Sequence, residues 1–213
     1  MLFSDRRAAG RALARELLER VPTLPGERPI VLAIPRGGVP VGAEVATALG
    51  ASLDVFVARK LGAPGREELG IGAVAPGGVR VLDWELIAQL RVSASYIDEV
   101  SARERVELER RLAQFRGARA PLDVAGRAVI LVDDGLATGV TARVALAALA
   151  AQSPARLIFA APVCSREGSA LIASDAVTVV CAATPENFYG VGAWYEDFEQ
   201  LTDADVLAVL GIW

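Results

Sequence analysis

Apolar residues recur along the chain in two alternating patterns, short continuous runs and helically spaced stripes. The continuous runs are typical of strands buried on both faces and lie at residues 30–34, 53–58, 128–132, 156–163 and 177–181. The helical stripes predict an opening helix capped by Ser4 and further helices over residues 40–49, 95–115, 138–151 and 167–173. Alternation of strands and helices predicts the α/β fold class, with a central, mostly parallel sheet flanked by helices.

Two other segments follow different patterns, and one of the predicted helices is rich in charge. Residues 61–70 are rich in glycine and contain too few apolar residues to pack, so we expect a mobile loop there. Residues 71–74 and 79–82 flank Ala-Pro-Gly-Gly and predict a short hairpin. Charges of both signs alternate along 95–115, which is typical of a solvated helix face.

The length of 213 residues favours a single domain. We expect a core over about 1–182, a helical insertion at about 83–125 and a small C-terminal hood at about 183–213, where five aromatic residues crowd together. No signal-like segment begins the chain, and no run approaches the roughly 18 apolar residues that span a bilayer. The expected location is therefore the cytoplasm, away from membranes.

Composition narrows the possible chemistry. The chain contains no histidine, which excludes Ser-His-Asp and Cys-His catalysis and imidazole acid–base chemistry. A net charge of −4 argues against nonspecific nucleic-acid binding, which needs clustered cations. Cys164 and Cys181 lie far apart in apolar runs, so we expect both to be small core residues in a reducing compartment rather than a disulfide.

The segment 129–141, termed the signature segment here, carries the clearest chemical pattern. It reads Val-Ile-Leu-Val-Asp-Asp-Gly-Leu-Ala-Thr-Gly-Val-Thr, a buried strand followed by two carboxylates, a turn and a helix start. Ligands of open parallel sheets bind at the carboxyl ends of strands. Free amides at a helix start, with the Thr138 and Thr141 hydroxyls, suit a phosphate, while Asp133 and Asp134 could accept hydrogen bonds from a diol. The pattern favours a ribose 5-phosphate ligand.

An ordinary turn with a threonine N-cap would explain these residues one by one, but not their occurrence together. The Walker and dinucleotide-binding glycine patterns are both absent. Four apolar residues, two acids, a variable pair and Ala-Thr-Gly-x-Thr closely resemble the phosphoribosyl pyrophosphate signature of the type I phosphoribosyltransferases. The resemblance implies a parallel sheet with flanking helices and a hood over the active site.

The resemblance also implies residue roles. Asp133 and Asp134 would hold the ribose hydroxyls, and a turn after the first core strand would bind pyrophosphate, although a tight turn explains its two glycines equally well. Arg59 and Lys60, the only lysine, would neutralise the departing charge, unless they are simply a solvated pair. The implied ribose 5-phosphate site is Asp133, Asp134, Gly135, Leu136, Ala137, Thr138, Gly139, Val140 and Thr141. The implied pyrophosphate site is Arg36, Gly37, Gly38, Arg59 and Lys60, and the implied catalytic residues are Arg59, Lys60, Asp133 and Asp134.

The implied reaction displaces pyrophosphate from C1 of the ribose by a nitrogenous base, or runs in reverse. A magnesium ion would bridge pyrophosphate and ribose near Asp133 and Asp134, coordinated mainly by water and substrate oxygens with no direct protein ligand. In the family a flexible loop closes over the site. The segment 61–70 departs from better-known members because it offers only Arg66 and two glutamates as polar side chains, which leaves any closing residue unidentified.

The acceptor base is not assigned by the sequence. Ala137 replaces an acid of the hypoxanthine-guanine branch, which disfavours 6-oxopurines. Phe188, Tyr189 and Trp194 in the hood could stack on a flat base, or equally form a small apolar subcore or a homodimer contact. A protein of the same fold that senses phosphoribosyl pyrophosphate or a nucleotide without turnover is the alternative function.

Overall fold

Helices and strands alternate along most of the chain, as the apolar pattern predicts. The computed structural model describes residues 2–21, 28–117 and 119–211. Short 3-10 helices lie at Pro76–Gly78 and Val191–Trp194. In chain order the elements are α1 (Arg6–Arg20), β1 (Ile30–Ala33), α2 (Gly38–Leu49), β2 (Ser52–Val55), β3 (Arg59–Ala63), β4 (Arg66–Val74), β5 (Arg80–Leu82), α3 (Trp84–Leu90), α4 (Ala94–Arg116), β6 (Ala128–Val132), α5 (Val140–Ala150), β7 (Arg156–Val163), α6 (Arg166–Ile172), β8 (Val177–Ala183) and α7 (Asp203–Leu210).

The main sheet has five parallel strands in the order β2-β1-β6-β7-β8. Every residue of β6 is buried, because successive side chains point into two different apolar layers. Val129 and Leu131 pack toward α5, whereas Ile130 and Val132 pack toward α1 and α2. Helices therefore cover both faces of the sheet, and the predicted α/β fold class is confirmed.

A second sheet, termed the small sheet, contains β3, β4 and β5 in antiparallel order. Its β4–β5 part confirms the predicted hairpin. The expectation of a mobile loop over 61–70 is wrong, because this segment forms most of the β3–β4 hairpin. Leu61 and Ala63 of β3 are buried, while residues 66–69, the first part of β4, are exposed. The low apolar content of the segment thus reflects one solvated strand rather than missing structure.

The helical insertion predicted at 83–125 consists mainly of α3 and α4. Ser93 caps α4, which begins one residue before the predicted start at 95, and Asp5, not Ser4, caps α1. One stripe of α4, including Ile97 and Leu108, packs on the small sheet. The remainder is rich in charge, and no helix in the described ranges is both long and apolar enough to cross a membrane.

The segment predicted as a hood begins where β8 ends. Phe3 near the N-terminus pairs with Tyr195, and both side chains are buried in a small apolar cluster of their own. α7 follows and lies against α2 and α4. The hood segment thus packs against the N-terminal part of the chain. Its last two residues, 212 and 213, lie outside the described ranges.

The expectation of two unpaired core cysteines is only half right. Cys164 and Cys181 are both buried, but they form a disulfide with each other. Parallel pairing of β7 with β8 aligns Ala161 with Cys181 and Val163 with Ala183, which brings the ends of the two strands side by side. The two cysteines are 17 residues apart in sequence, and this spacing alone does not predict the strand register that brings them together.

Candidate functional site

The signature segment forms a strand, a turn and a helix at the carboxyl edge of the main sheet. β6 ends at Val132, the two acids follow, and α5 begins at Val140 with Gly139 as its N-cap. Gly139 adopts φ +76, a left-handed conformation that suits glycine. The turn therefore places residues 137–141, termed the phosphate cradle, around the start of a helix.

The backbone amides of the phosphate cradle are unpaired, and four of its five residues are exposed. Within the described part of the chain, the amides of residues 137–141 donate no hydrogen bond, and the first helical bond of α5 is made by the amide of Arg143. Thr138 and Thr141 are exposed. Unpaired amides at a helix start attract anions through direct hydrogen bonds and the helix dipole. This arrangement fits a phosphate group.

The cradle is held from behind by the segment that follows β7. The Leu136 amide donates to the Val163 carbonyl at 2.8 Å, and the Leu136 carbonyl accepts from the Ser165 amide at 2.8 Å. The Ser165 hydroxyl donates to the carbonyl of Ala137. The side chain of Leu136 is buried in the core. Leu136, expected to contact ribose 5-phosphate, therefore anchors the cradle instead and has no free donor for a ligand.

Asp133 is partly buried at the end of β6. One of its carboxylate oxygens accepts the Asp134 amide at 2.9 Å. Burial, and secondly the neighbouring charge of Asp134, raises the pKa of Asp133 well above its usual range. No side chain among the described residues forms an ion pair with Asp133. Its carboxylate is thus available to accept hydrogen bonds from a ligand.

Asp134 departs from the expectation that both acids face a sugar. Its Oδ2 accepts a hydrogen bond from Arg6 Nε at 2.9 Å, and this ion pair is mostly buried. The Tyr195 hydroxyl donates to the carbonyl of Asp134 at 2.6 Å, and burial raises the pKa of this tyrosine. The two acids are therefore unequal, because only Asp134 already has a cationic partner.

Residues 35–38, termed the diglycine turn, join β1 to α2 beside the two acids. A side chain on Gly37 would overlap the Asp134 carboxylate, and a Cβ on Gly38 would lie 2.6 Å from the Val132 carbonyl. Both glycines are thus required for close packing against the signature segment. The Pro35–Arg36 peptide is cis, and the amides of Arg36 and Gly37 donate to no described residue.

Arg36 itself is occupied on its outer side. Its Nε donates to Asp203 at 2.8 Å, and its Nη1 donates to the Leu201 carbonyl at 2.9 Å. The diglycine turn therefore offers backbone amides to an anion, while its arginine is paired with the residues around the start of α7. Arg36 would have to leave Asp203 in order to contact pyrophosphate.

The two cations of β3 border a cleft of about 690 Å³ between the small sheet and α5. Arg59 pairs with Glu104 at 2.8 Å, and Lys60 donates to the Glu68 carbonyl at 2.9 Å and lies 3.3 Å from its carboxylate. Thr141 lines the same cleft, so the structure brings the cations toward one end of the phosphate cradle. Asp133 does not line this cleft.

The aromatic residues of the hood separate into two groups. Tyr189 is 86% exposed, and Phe188 is partly exposed. Trp194 instead packs against the Phe3 cluster, and its indole Nε1 is buried without a partner among the described residues. Trp194 thus fits the apolar-subcore interpretation, whereas Phe188 and Tyr189 are free to contact a ligand.

Comparison with known proteins supplies the family. The family model for the phosphoribosyl transferase domain matches residues 4–197, which include the signature segment, the diglycine turn and the small sheet. The chain belongs to the phosphoribosyl transferase domain family. The resemblance of the signature segment is thereby confirmed as membership.

Individual relatives agree with this assignment. Two Mycobacterium tuberculosis proteins, from strains CDC 1551 and H37Rv, are named as candidate phosphoribosyl transferases and are each 42% identical over 209 residues, or 98% of this chain. The match covers 46% of their length, so this chain spans about half of these relatives. The crystal structure of the protein TT1426 from Thermus thermophilus is 42% identical, with a TM-score of 0.86 over 99% of this chain and 98% of that one.

A more distant likeness shows the shared fold alone. A Neisseria gonorrhoeae protein whose structure holds ppGpp is 12% identical, with a TM-score of 0.52 over 99% of this chain and 97% of that one. The fold is thus shared over nearly the whole length of both chains.

Sequence reasoning missed several residues of this phosphoribosyl transferase domain. Arg6 and Ser165 lie far from the signature in sequence, and only the fold brings them to it. Trp84 is 68% exposed and lines the cleft of the small sheet. Tyr195 belonged to the aromatic cluster, which was the one sequence signal available for any of them.

Proposed function

We propose that this domain transfers ribose 5-phosphate from phosphoribosyl pyrophosphate to a nitrogenous base, or catalyses the reverse reaction. The proposal depends on the unpaired amides of the phosphate cradle, which lie beside the carboxylate of Asp133. Among the described residues, that carboxylate has no ion-pair partner. A phosphate group bound to the amides of residues 137–141 would place an attached ribose near that carboxylate. Family membership of residues 4–197 supports the same chemistry.

The backbone would do most of the substrate binding. The cradle amides and the hydroxyls of Thr138 and Thr141 would hold the 5-phosphate, and the amides of Arg36 and Gly37 would hold the pyrophosphate. Asp133 would accept hydrogen bonds from the ribose diol. With both ends of the substrate fixed, the base nitrogen forms a bond to C1 as the bond from C1 to pyrophosphate oxygen breaks, and fixed donors stabilise the departing negative charge.

Magnesium dependence belongs to the same proposal. In such sites Mg²⁺ keeps several waters and binds through one or two carboxylates together with substrate phosphates. We expect water and substrate oxygens to supply most of the coordination near Asp133, because the carboxylate of Asp134 is already paired with Arg6. The ion would neutralise charge on pyrophosphate, while the protein residues set the position of the ribose.

Arg59 and Lys60 of the small sheet would add positive charge near the pyrophosphate, beyond the backbone amides that bind it. Among the described residues Lys60 is bound only to exposed Glu68, and surface pairs of this kind contribute little to stability, so Lys60 can exchange partners. Arg59 is held more firmly by Glu104, which is 13% exposed. We therefore assign the larger contribution to Lys60.

The acceptor is proposed to be a flat nitrogenous base that contacts the exposed rings of Phe188 and Tyr189. Hood residue Val191 lies directly against Gly135 of the signature segment, so the hood borders the site. A homodimer and a cytoplasmic location stay predictions.

Incubation with phosphoribosyl pyrophosphate, Mg²⁺ and a panel of bases, followed by measurement of released pyrophosphate, tests the proposal. Base-dependent release is the expected result, and the responding base identifies the acceptor. Tight binding of phosphoribosyl pyrophosphate with no release for any base would favour the sensing function instead. Absence of both binding and release would refute the proposal.

A further inference from the structure

The first turn of α1 supplies a side chain to the signature segment from the opposite end of the chain. Arg6 Nε donates to Asp134 Oδ2 at 2.9 Å, and the two side chains are only 11% and 16% exposed. The Arg6 guanidinium lies 4.0 Å from the ring centroid of Phe198, and its Nη1 donates to the Glu199 carbonyl at 2.9 Å. Arg6 is therefore fixed by three different contacts.

Asp134 also contacts the diglycine turn and the hood. Its carboxylate lies against the Cα of Gly37, so closely that a Cβ there would overlap Oδ2. The Tyr195 hydroxyl holds its carbonyl. The same Tyr195 ring packs between Phe3 and Phe198. Asp134 thus occupies a closed junction between the N-terminal helix, the hood and the diglycine turn.

We propose that Arg6 is a positioning residue, which acts through Asp134 to fix the diglycine turn in the geometry that accepts pyrophosphate. In this role Asp134 supports the turn, and Asp133 alone contacts the ribose diol. The inference rests on the proposed function, because it assigns the diglycine turn to pyrophosphate. It also makes α1 and the hood necessary parts of the site.

The role predicts a selective defect. Ribose 5-phosphate needs only the cradle and Asp133, whereas phosphoribosyl pyrophosphate also needs the diglycine turn. Loss of Arg6 should therefore weaken binding of phosphoribosyl pyrophosphate and leave binding of ribose 5-phosphate nearly unchanged. A merely structural role in stability would affect both ligands alike.

Calorimetric titration of Arg6→Met, Arg6→Lys and Asp134→Asn with each ligand, in the presence of Mg²⁺, tests this inference. We expect Arg6→Met and Asp134→Asn to lose at least about tenfold in affinity for phosphoribosyl pyrophosphate, typical of a lost charged hydrogen bond. In the two Arg6 variants, affinity for ribose 5-phosphate should stay within about twofold of the wild type, because Arg6 bonds to Asp134 and Glu199 and to neither the cradle nor Asp133. Arg6→Lys should recover part of the loss.

Arg7→Met is the matched control, because Arg7 lies in the same helical turn but is 62% exposed and lies 3.5 Å from Glu44. It should bind both ligands like the wild type. If Arg6→Met does not fold, Arg6→Lys and Asp134→Asn decide the outcome. Equal losses for both ligands, or no loss, would overturn the positioning role, whereas a wild type that binds neither ligand would refute the proposed function itself.

Discussion

The phosphate cradle and the cations of the small sheet are both placed to meet phosphate oxygens, yet they differ in whether their donors are already in use. The cradle amides of residues 137–141 have no partner among the described residues. Arg59 and Lys60 are each paired with a glutamate. The cradle is therefore ready for an anion, whereas the cations must first exchange partners.

The difference follows from how each region is built. The cradle follows a fully buried strand and is tied to Ser165 and Val163, so its geometry is fixed before any ligand arrives. The basic pair lies on a hairpin whose outer arm is exposed. Fixed donors stabilise charge without reorganisation, which is the main source of electrostatic catalysis. We infer that the cradle supplies affinity for a phosphate group, and that Arg59 and Lys60 change partners in the proposed reaction.

The largest expected effect is at Gly139. Gly139→Ala would place a Cβ 2.9 Å from the Gly168 carbonyl and displace the cradle. Loss of several charged hydrogen bonds to phosphate should reduce affinity for ribose 5-phosphate by about 100-fold. Titration calorimetry provides the measurement.

Gly77→Ala is the matched control for that substitution. Gly77 has φ +77, nearly the same as Gly139, but lies in open space on the small sheet. Both variants carry a similar backbone cost of about 1–2 kcal/mol, so only the position in the site differs. Equal affinity losses in the two variants would contradict the account of the cradle.

The next effect concerns Asp133. Asp133→Asn should weaken binding of ribose 5-phosphate by at least about tenfold, because a charged acceptor is replaced by a neutral one. The same variant should melt at a higher temperature than the wild type at neutral pH, because it removes a carboxylate whose ionisation is opposed by burial and by Asp134. Calorimetric titration and thermal unfolding measure the two effects.

The pH dependence of this gain follows from the raised pKa. Between the ordinary aspartate pKa of about 3.9 and the raised native value, the native state binds more protons than the unfolded state. The contribution of Asp133 to stability therefore falls as pH rises through this window. The advantage of Asp133→Asn in melting temperature should be close to zero near the lower limit and grow toward neutral pH. A difference independent of pH would contradict the raised pKa.

The smallest effect is at the Lys60–Glu68 pair. Lys60→Ala should lower turnover several-fold while leaving binding of a nucleotide monophosphate unchanged, because the role proposed for its charge concerns pyrophosphate alone. Glu68→Ala removes the competing carboxylate and should raise affinity for pyrophosphate by no more than about fivefold, the range of exposed ion pairs. Steady-state kinetics and calorimetry test both, and loss of monophosphate binding in Lys60→Ala would show that its role is different.

Much of the fold was predictable from the sequence, because a buried strand or helix face requires apolar residues at a regular local spacing. The strand bounds Arg156–Val163 and Ala128–Val132 agree with the apolar runs, since both faces of these strands are covered. The β3–β4 hairpin was not predicted, because its exposed arm and its glycines resemble a loop. The apolar pattern thus predicts buried strands, but it does not predict strands that are exposed to solvent.

The site divides in the same way. The cradle was predictable because its strand, turn and helix start are consecutive in sequence. The Arg6–Asp134 pair and the Cys164–Cys181 disulfide depend on packing between elements that are distant in sequence. No local sequence pattern predicts either pairing. Backbone hydrogen bonds in the finished fold also changed the expected role of Leu136, because its amide and carbonyl pair with Val163 at the end of β7 and with Ser165 just beyond it.

The most direct test is a titration of isotope-labelled protein with ribose 5-phosphate, followed through backbone amide resonances. The amides of Thr138, Gly139 and Thr141 should shift together and saturate with a single affinity, as expected for donors that close on one phosphate. Saturable binding that leaves these three resonances in place, and moves amides elsewhere in the chain, would contradict the account.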